Sequence, residues 1–261
     1  MGARTNLVFA MFIDIENFSG RPDPVQKSLR RSLYEVVRTA ATDANLSWES
    51  LRSQDRGDGL LLPVASDVSP VVLAGDFIRA LDAGLAEKAS MSNDLYAMRL
   101  RVALHLGVAT EDDEGWYGRA LNTTCHLANA HALRTTLGEA GRAHLALIVS
   151  DAFYQAVIGP GHRSLDPSTF APLTLDLKKD RDAPAWIQVP GYAAPPGLPI
   201  ADWRPGSPRG GAPPGSDDSL GSPTAPSPAD VGTPMKAGGS VTVHGVVIGD
   251  QVAGDKTVHY G

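Results

Sequence analysis

The stretch LVFAMFIDIENFSGRPDP, residues 7–24, opens with an apolar run from Leu7 to Ile15, broken only by Asp14, and then turns polar at once. A run of that length without polar alternation suits a central strand buried on both faces. It is too short to cross a bilayer and lacks the basic leader and small-residue cleavage site of a signal peptide, so no membrane segment is expected. After Pro24 the apolar positions Val25, Leu29, Leu33, Val36, Val37 and Ala40 recur at three- and four-residue steps, which predicts a helix with the proline in its first turn. Two short strand-like runs follow, Leu46–Ser53 and Gly59–Val64, separated by the polar turn QDRGDG. A helix from Ser69 to about Ser90 and a fourth strand over Met98–Ala109 (MRLRVALHLGVA) complete the series. Strand, helix, strand, strand, helix, strand is the order of a ferredoxin-like unit. The expected class is therefore α+β, an antiparallel sheet with its helices on one face. Beyond it, Arg119–Leu137 reads as helix and His144–Val149 as strand, with Ser150 capping a short helix through Val157.

Composition bounds the rest. The chain has 261 residues, 43% hydrophobic and 20% charged, with a formal charge of −6, so no global basic field favours DNA. One cysteine, Cys125, forms no intrachain disulfide, and no Cys/His set has zinc spacing; a reducing, cytoplasmic setting is expected. Eleven of the 20 prolines fall between residues 191 and 239, beside many Gly, Ser and Asp, a composition that cannot offset its ordering entropy by burial. The reading is a folded domain over 1–190, a flexible linker over 191–239, and a tail over 240–261, SVTVHGVVIGDQVAGDKTVHYG. The tail alternates Val and Ile with polar residues and carries Gly-Asp pairs suited to tight turns. Two short strands alone are marginal in water, so this tail is expected to pair with a protein partner or with a second copy of itself. A disordered extension is the equal alternative.

Three places carry candidate chemistry. Asp14 ends the first strand and leads through IENFSG to the first helix, where a carboxylate beside exposed amides suits a divalent cation and its phosphates. Asp58 lies in RGDGLL, where Gly57 and Gly59 allow a sharp bend and close approach to a ligand. Should the two carboxylates converge, a cation between them would relieve their repulsion, and paired metals about 3.5–4 Å apart can activate a hydroxyl and neutralise a leaving phosphate. Third, in GWYGRALNTTCHLANA, Asn122, Cys125, His126 and Asn129 share one helical face. Taken singly, each has an ordinary explanation: a strand end, a turn, a helix-start cap. His105 and His131 read as packing or surface residues, Cys125 as a small buried residue, Trp116 and Tyr117 as packing, and LKKDRD (177–182) as a solvated turn.

Taken together, FIDIENFSG, RGDGLLLPV, VALHLGVA, GWYGRALN and LANA resemble, in order and over roughly residues 5–190, the catalytic-domain signatures of class III nucleotide cyclases. The resemblance implies that Asp14 and Asp58 bind two Mg or Mn ions with help from the Ile15 carbonyl. It also implies that amides around Asn17 and Phe18, with Gly57, cradle a nucleoside triphosphate. Asn122 would serve the site of the opposite subunit of a homodimer. The reaction implied is cyclisation of the triphosphate to a 3′,5′-cyclic nucleotide with loss of pyrophosphate.

The chain also departs from the family. Gln54 stands where purine cyclases place a base-reading Lys or Glu, Gly115 where an adenine-reading Asp is common, and His126 where a phosphate-stabilising Arg is expected. Neither purine is thereby specified. The departures are similar to those of the pyrimidine cyclases of bacterial antiphage signalling. His126 would supply a weaker, pH-dependent charge, or Arg119 would reach the phosphates instead. The alternative is a nucleotide-binding signalling module with little turnover, since losing one preorganised charge donor at a phosphate centre costs about two orders of magnitude in rate or more.

Overall fold

The computed structural model describes residues 2–162, 164–177 and 180–198; the tail and most of the expected linker lie outside the described residues. One mixed sheet of eight strands forms the frame, in the order β2-β3-β1-β4-β6-β8-β7, with β5 pairing β4. The strands are β1 (Arg4–Ile15), β2 (Gln54–Asp55), β3 (Gly59–Ala65), β4 (Leu100–Asp112), β5 (Gly115–Tyr117), β6 (Leu145–Ser150), β7 (Ala171–Leu177) and β8 (Asp180–Gln188). The first four in this order, β2-β3-β1-β4, are mutually antiparallel, as the ferredoxin-like reading requires, and β6 extends the sheet by pairing parallel to β4.

Two apolar clusters sandwich the sheet. Phe9, Met11, Ile13 and Ile15 of β1 pack with Leu29 and Leu33 of α1 (Asp23–Asp43) and with Leu81 and Leu85 of α3 (Ile78–Ser90). Alternate residues Val8, Ala10 and Phe12 face the other way. They join Leu121 and Leu127 of α4 (Arg119–Ala128) and Leu133 and Leu137 of α5 (His131–Glu139). The period-two alternation of β1 therefore feeds two cores, which is why its sequence lacks a polar face. The two helices of the ferredoxin-like unit lie on one face as expected, and the added helices cover the other.

Several boundaries differ from the expectations. Leu46–Ser53 is not a strand. Ser47 Oγ accepts the Ser50 amide at 3.1 Å, a 3-10 turn occupies Glu49–Leu51, and Arg52 adopts a left-handed φ of 47°. Local side-chain-to-backbone bonding wins over strand pairing here, and pairing begins only at Gln54. The helix expected from Ser69 starts as α2 (Pro70–Val72) and passes through a π turn at Leu73–Phe77 into α3. The helix expected over Arg119–Leu137 is two, broken where Ala130 turns extended (φ −60°, ψ 138°). No Gly or Pro marks that break. Ser150 does cap α6 (Asp151–Phe153), accepting the Phe153 amide at 3.3 Å, and a π turn carries the chain to Ile158.

The β7–β8 hairpin was not anticipated. Part of the expected solvated turn at 177–182 is strand, with Leu177 paired to Asp180. The Trp186 ring on β8 stacks on Tyr154 at 3.7 Å, and its indole N–H donates to Asp151 Oδ1 at 3.0 Å. Past residue 190, Tyr192 and Leu198 pack against the second cluster, and the Tyr192 hydroxyl accepts the Arg142 amide at 3.1 Å. Among the described residues no helix is long and apolar enough to cross a membrane.

Candidate functional site

Asp14 sits at the inner end of β1, directly between Gly59 of β3 and Arg101 of β4. Its period places it on the same sheet face as Phe12, toward α4 and α5, and it is only 3% exposed. Gly59 is what permits this. A Cβ there would lie 2.4 Å from the Ile13 carbonyl oxygen and 3.2 Å from Asp14 Cα, so only a glycine lets β3 approach β1 so closely. The close approach brings in the next residue: the Ile15 amide donates to the Asp58 carbonyl at 3.1 Å. Asp58 is exposed on the turn, whereas Asp14 is buried beneath it.

Electrostatics shows that the two carboxylates feel one another. Burial pushes the Asp14 carboxyl above its ordinary range. The Arg101 charge and hydrogen bond pull it down without outweighing burial, and the Asp58 charge pushes it further up. Arg101 Nε donates to Asp14 Oδ2 at 2.8 Å, Nη2 contacts the same oxygen, and both side chains are largely buried. Arg101, with a smaller contribution from the charge of Arg134, thus does not outweigh the burial of Asp14 beside Asp58, and a divalent cation would supply what is missing. The donor set fits a hard cation. Among the described residues no group of three or more His, Cys, Asp or Glu is arranged to hold a metal. Further ligands would then be backbone oxygen, water or substrate phosphate, as Mg commonly takes them.

Around this pair the chain places several of the expected residues. Asn17 adopts a left-handed φ of 52° in the turn after β1. Phe18 and Gly57 line one cavity of about 530 Å³ beside α1, together with Lys27, Arg30 and Tyr34. Gln54 and Gly115, distant in sequence, are neighbours: a Cβ on Gly115 would lie 3.0 Å from Gln54 Nε2, and Arg56 Nη2 donates to Gln54 Oε1 at 2.9 Å. Trp116 packs under the Arg52 guanidinium, 5.4 Å from the ring centroid, while Arg52 Nη1 bonds both Glu111 carboxylate oxygens at 2.9 Å.

Other candidates lie on α4 and its surroundings and line other cavities. Asn122 is exposed on the first turn of α4. Arg119 lines a separate cavity of about 330 Å³ with His105 and Thr123. Burial, and then the charge of Arg119, lowers the His105 pKa, and His105 Nδ1 is hydrogen-bonded to Ser150 Oγ at 2.9 Å. His126 lines a third cavity, of about 640 Å³, with Asn129, His131 and Asp176. Cys125 is half-buried; burial raises its thiol pKa, with opposing influences from Arg56 and Asp14.

Two residues that sequence reasoning passed over belong to the site. Arg101 is one. Its signal was a charge inside the apolar alternation of MRLRVALHLGVA, but its meaning depends on the register that sets it opposite Asp14. Arg134 of α5 is the other: its charge acts on Asp14 within the same chain, and its guanidinium donates to Asn129 Oδ1 at 2.8 Å.

No protein-family model matches the sequence, and no curated protein matches it. Solved structures do. The guanylyl cyclase Cya2 aligns with a TM-score of 0.53 at 13% identity, over 78% of this chain and 100% of that one. An adenylate/guanylate cyclase/hydrolase from Silicibacter pomeroyi aligns at 0.51 and 16% identity, over 72% and 99%. The catalytic core of a rhodopsin-guanylyl cyclase with converted specificity, in complex with ATPαS, aligns at 0.50 and 18% identity, over 72% and 99%. The sheet order, the helices on its two faces and these alignments agree, and the chain has the fold of the class III nucleotide cyclase catalytic domain.

Proposed function

We propose that this protein is a nucleotide cyclase of the class III type, converting a nucleoside triphosphate to a 3′,5′-cyclic nucleotide and pyrophosphate. The single observation that carries the reading is the convergence of Asp14 and Asp58. The amide of Ile15, the residue after Asp14, donates to the Asp58 carbonyl at 3.1 Å and sets the two acidic residues side by side, on a fold whose solved relatives include cyclases. Asp14 and Asp58, with the Ile15 carbonyl, hold divalent cations, Mg or Mn. Bound there, such ions lower the pKa of the attacking hydroxyl and neutralise the departing phosphates.

The chain's own residues do the remainder. Amides of the turn around Asn17 and Phe18 orient the triphosphate, and Arg101 is the near cation. Arg101 now holds Asp14 Oδ2; were a metal to take that carboxylate, the guanidinium would be available to the phosphate oxygens that carry charge as the bond to the leaving group breaks. The 3′ oxygen gives up its proton to water and bonds the α-phosphorus, while the bond from that phosphorus to the bridging oxygen breaks and pyrophosphate leaves with the electron pair. Gln54 and Gly115 form the base-facing wall. Arg56 occupies the Gln54 carbonyl oxygen and leaves its NH2 group to face the base. Asn122 acts in the partner subunit of a homodimer.

The test is incubation of the full chain with Mn²⁺ and each of the four ribonucleoside triphosphates. Cyclic product that disappears in Asp14→Asn and Asp58→Asn, both still folded by circular dichroism, is the expected result. Nucleotide binding without product from the unaltered chain overturns the enzyme and leaves a binding module.

A further inference from the structure

Asp55 stands outside the acidic pair, yet its carboxylate bonds two separate parts of the fold. It belongs to β2, whose two residues give little pairing to hold the turn that follows. Its carboxylate works in two directions. Oδ1 accepts the Gly57 amide at 2.8 Å. Oδ2 accepts Arg30 Nε at 3.1 Å, a second Arg30 nitrogen and the Tyr34 hydroxyl, side chains one turn apart on α1. Burial pushes the Asp55 carboxyl up, but the hydrogen bonds from Arg30, Tyr34 and Gly57 outweigh it and hold it at about 2.

The turn needs such an anchor. Gly57 has a φ of +84° and open space where a side chain would be, and glycine is the residue with most freedom to lose. The residue after it carries the exposed carboxylate of the site. One end of the turn is fixed by the Arg56 amide to the Gly59 carbonyl at 2.9 Å and by Ile15 to Asp58 at 3.1 Å. The other end is fixed to α1 through one side chain, that of Asp55.

We infer that Asp55 is a positioning residue, clamping the 56–58 turn to α1 so that Asp58 is held ready beside Asp14 for a divalent cation. The inference rests on the cyclase reading of the Asp14–Asp58 pair. Loss of groups that orient metal ligands costs about 10- to 100-fold in metal affinity. Asp55→Ala is therefore expected to weaken Mn²⁺ binding to the nucleotide-free full chain about tenfold, followed by the electron paramagnetic resonance signal of free Mn²⁺. The Mn²⁺ concentration for half-maximal cyclisation should rise in parallel, with KM for nucleotide at saturating Mn²⁺ unchanged. Asp55→Asn keeps an acceptor for the Gly57 amide and should recover part of the loss. Arg30→Met, acting from the helix side, should shift Mn²⁺ affinity in the same direction and carries the test should Asp55→Ala fail to fold. A lowered melting temperature with Mn²⁺ affinity unmoved in these variants makes Asp55 merely structural and overturns the inference. Asp14→Asn separates the two claims. If it abolishes Mn²⁺ binding while Asp55→Ala does not weaken it, the clamp alone fails; if the unaltered chain binds no Mn²⁺ and makes no product, the cyclase reading fails and takes the clamp with it.

Discussion

Replacing Gly59 by alanine tests the geometry that joins the two acidic residues. The added Cβ would sit 2.4 Å from the Ile13 carbonyl oxygen, while real Cβ contacts essentially never fall below 3.0 Å, so β3 and β1 must part by at least the difference at that pair. The two contacts that matter are backbone and cannot swing aside, the Ile13 oxygen and Asp14 Cα at 3.2 Å; the third is the tip of the buried Phe12 ring, also at 3.2 Å. Overpacking of this kind costs about 1–3 kcal/mol. For a domain of this size each kcal/mol is about 2–4 °C in melting temperature, so a fall of roughly 2–12 °C is expected in differential scanning fluorimetry. The displaced residue pair is also the register that places Asp58 beside Asp14. Misplacement of reacting groups by about 1 Å costs about a hundredfold in rate. Gly59→Ala should therefore lose at least tenfold in cyclisation at a temperature where circular dichroism shows it fully folded. Wild-type melting together with wild-type turnover would refute the claim that close approach of these strands builds the site.

Two further outcomes follow from the same site. Arg101→Met leaves Asp14 buried beside Asp58 without its guanidinium, and breaking a buried pair in this way costs about 3–5 kcal/mol. Because the folded Asp14 carboxyl lies above its unfolded value, its ionisation opposes folding. The penalty in urea denaturation should be largest at pH 7 and shrink as the pH is lowered and ionised Asp14 is no longer enforced; a loss that does not change with pH would refute the charge argument. Gln54→Ala removes the amide facing Gly115 and should change the ratio of turnover among the four nucleotides by about tenfold, while the Mn²⁺ requirement stays put. Equal loss with all four nucleotides would remove Gln54 from the base wall.

Much of the frame was legible in the residues. The apolar run at Leu7–Ile15, the three-and-four spacing after Pro24 and the alternation through Met98–Ala109 each depend on burial periodicity, which a chain carries locally. Elements without a local signature were missed. Leu46–Ser53 carries apolar residues, but Ser47 bonds its neighbours' backbone and forms a turn. The break between α4 and α5 has no Gly or Pro to announce it, and β7 and β8 become strands by adding to a sheet edge already present.

The candidate site divides in the same way. Asp14, Gly57, Asp58 and Gly59 could be singled out by their places at a strand end and in a glycine-flanked turn, but each taken singly has an ordinary structural use, and only their combination in one order pointed to a site. That Gly59, the neighbour of Asp58, pairs with Asp14, that Arg101 lies opposite Asp14, that Asp55 bonds both α1 and the Gly57 amide and that Gln54 adjoins Gly115 are matters of strand register. Register is set by the packing of a whole strand against its neighbours. A slip of one residue would send Arg101 to the opposite face of the sheet, and no segment read by itself contains that information.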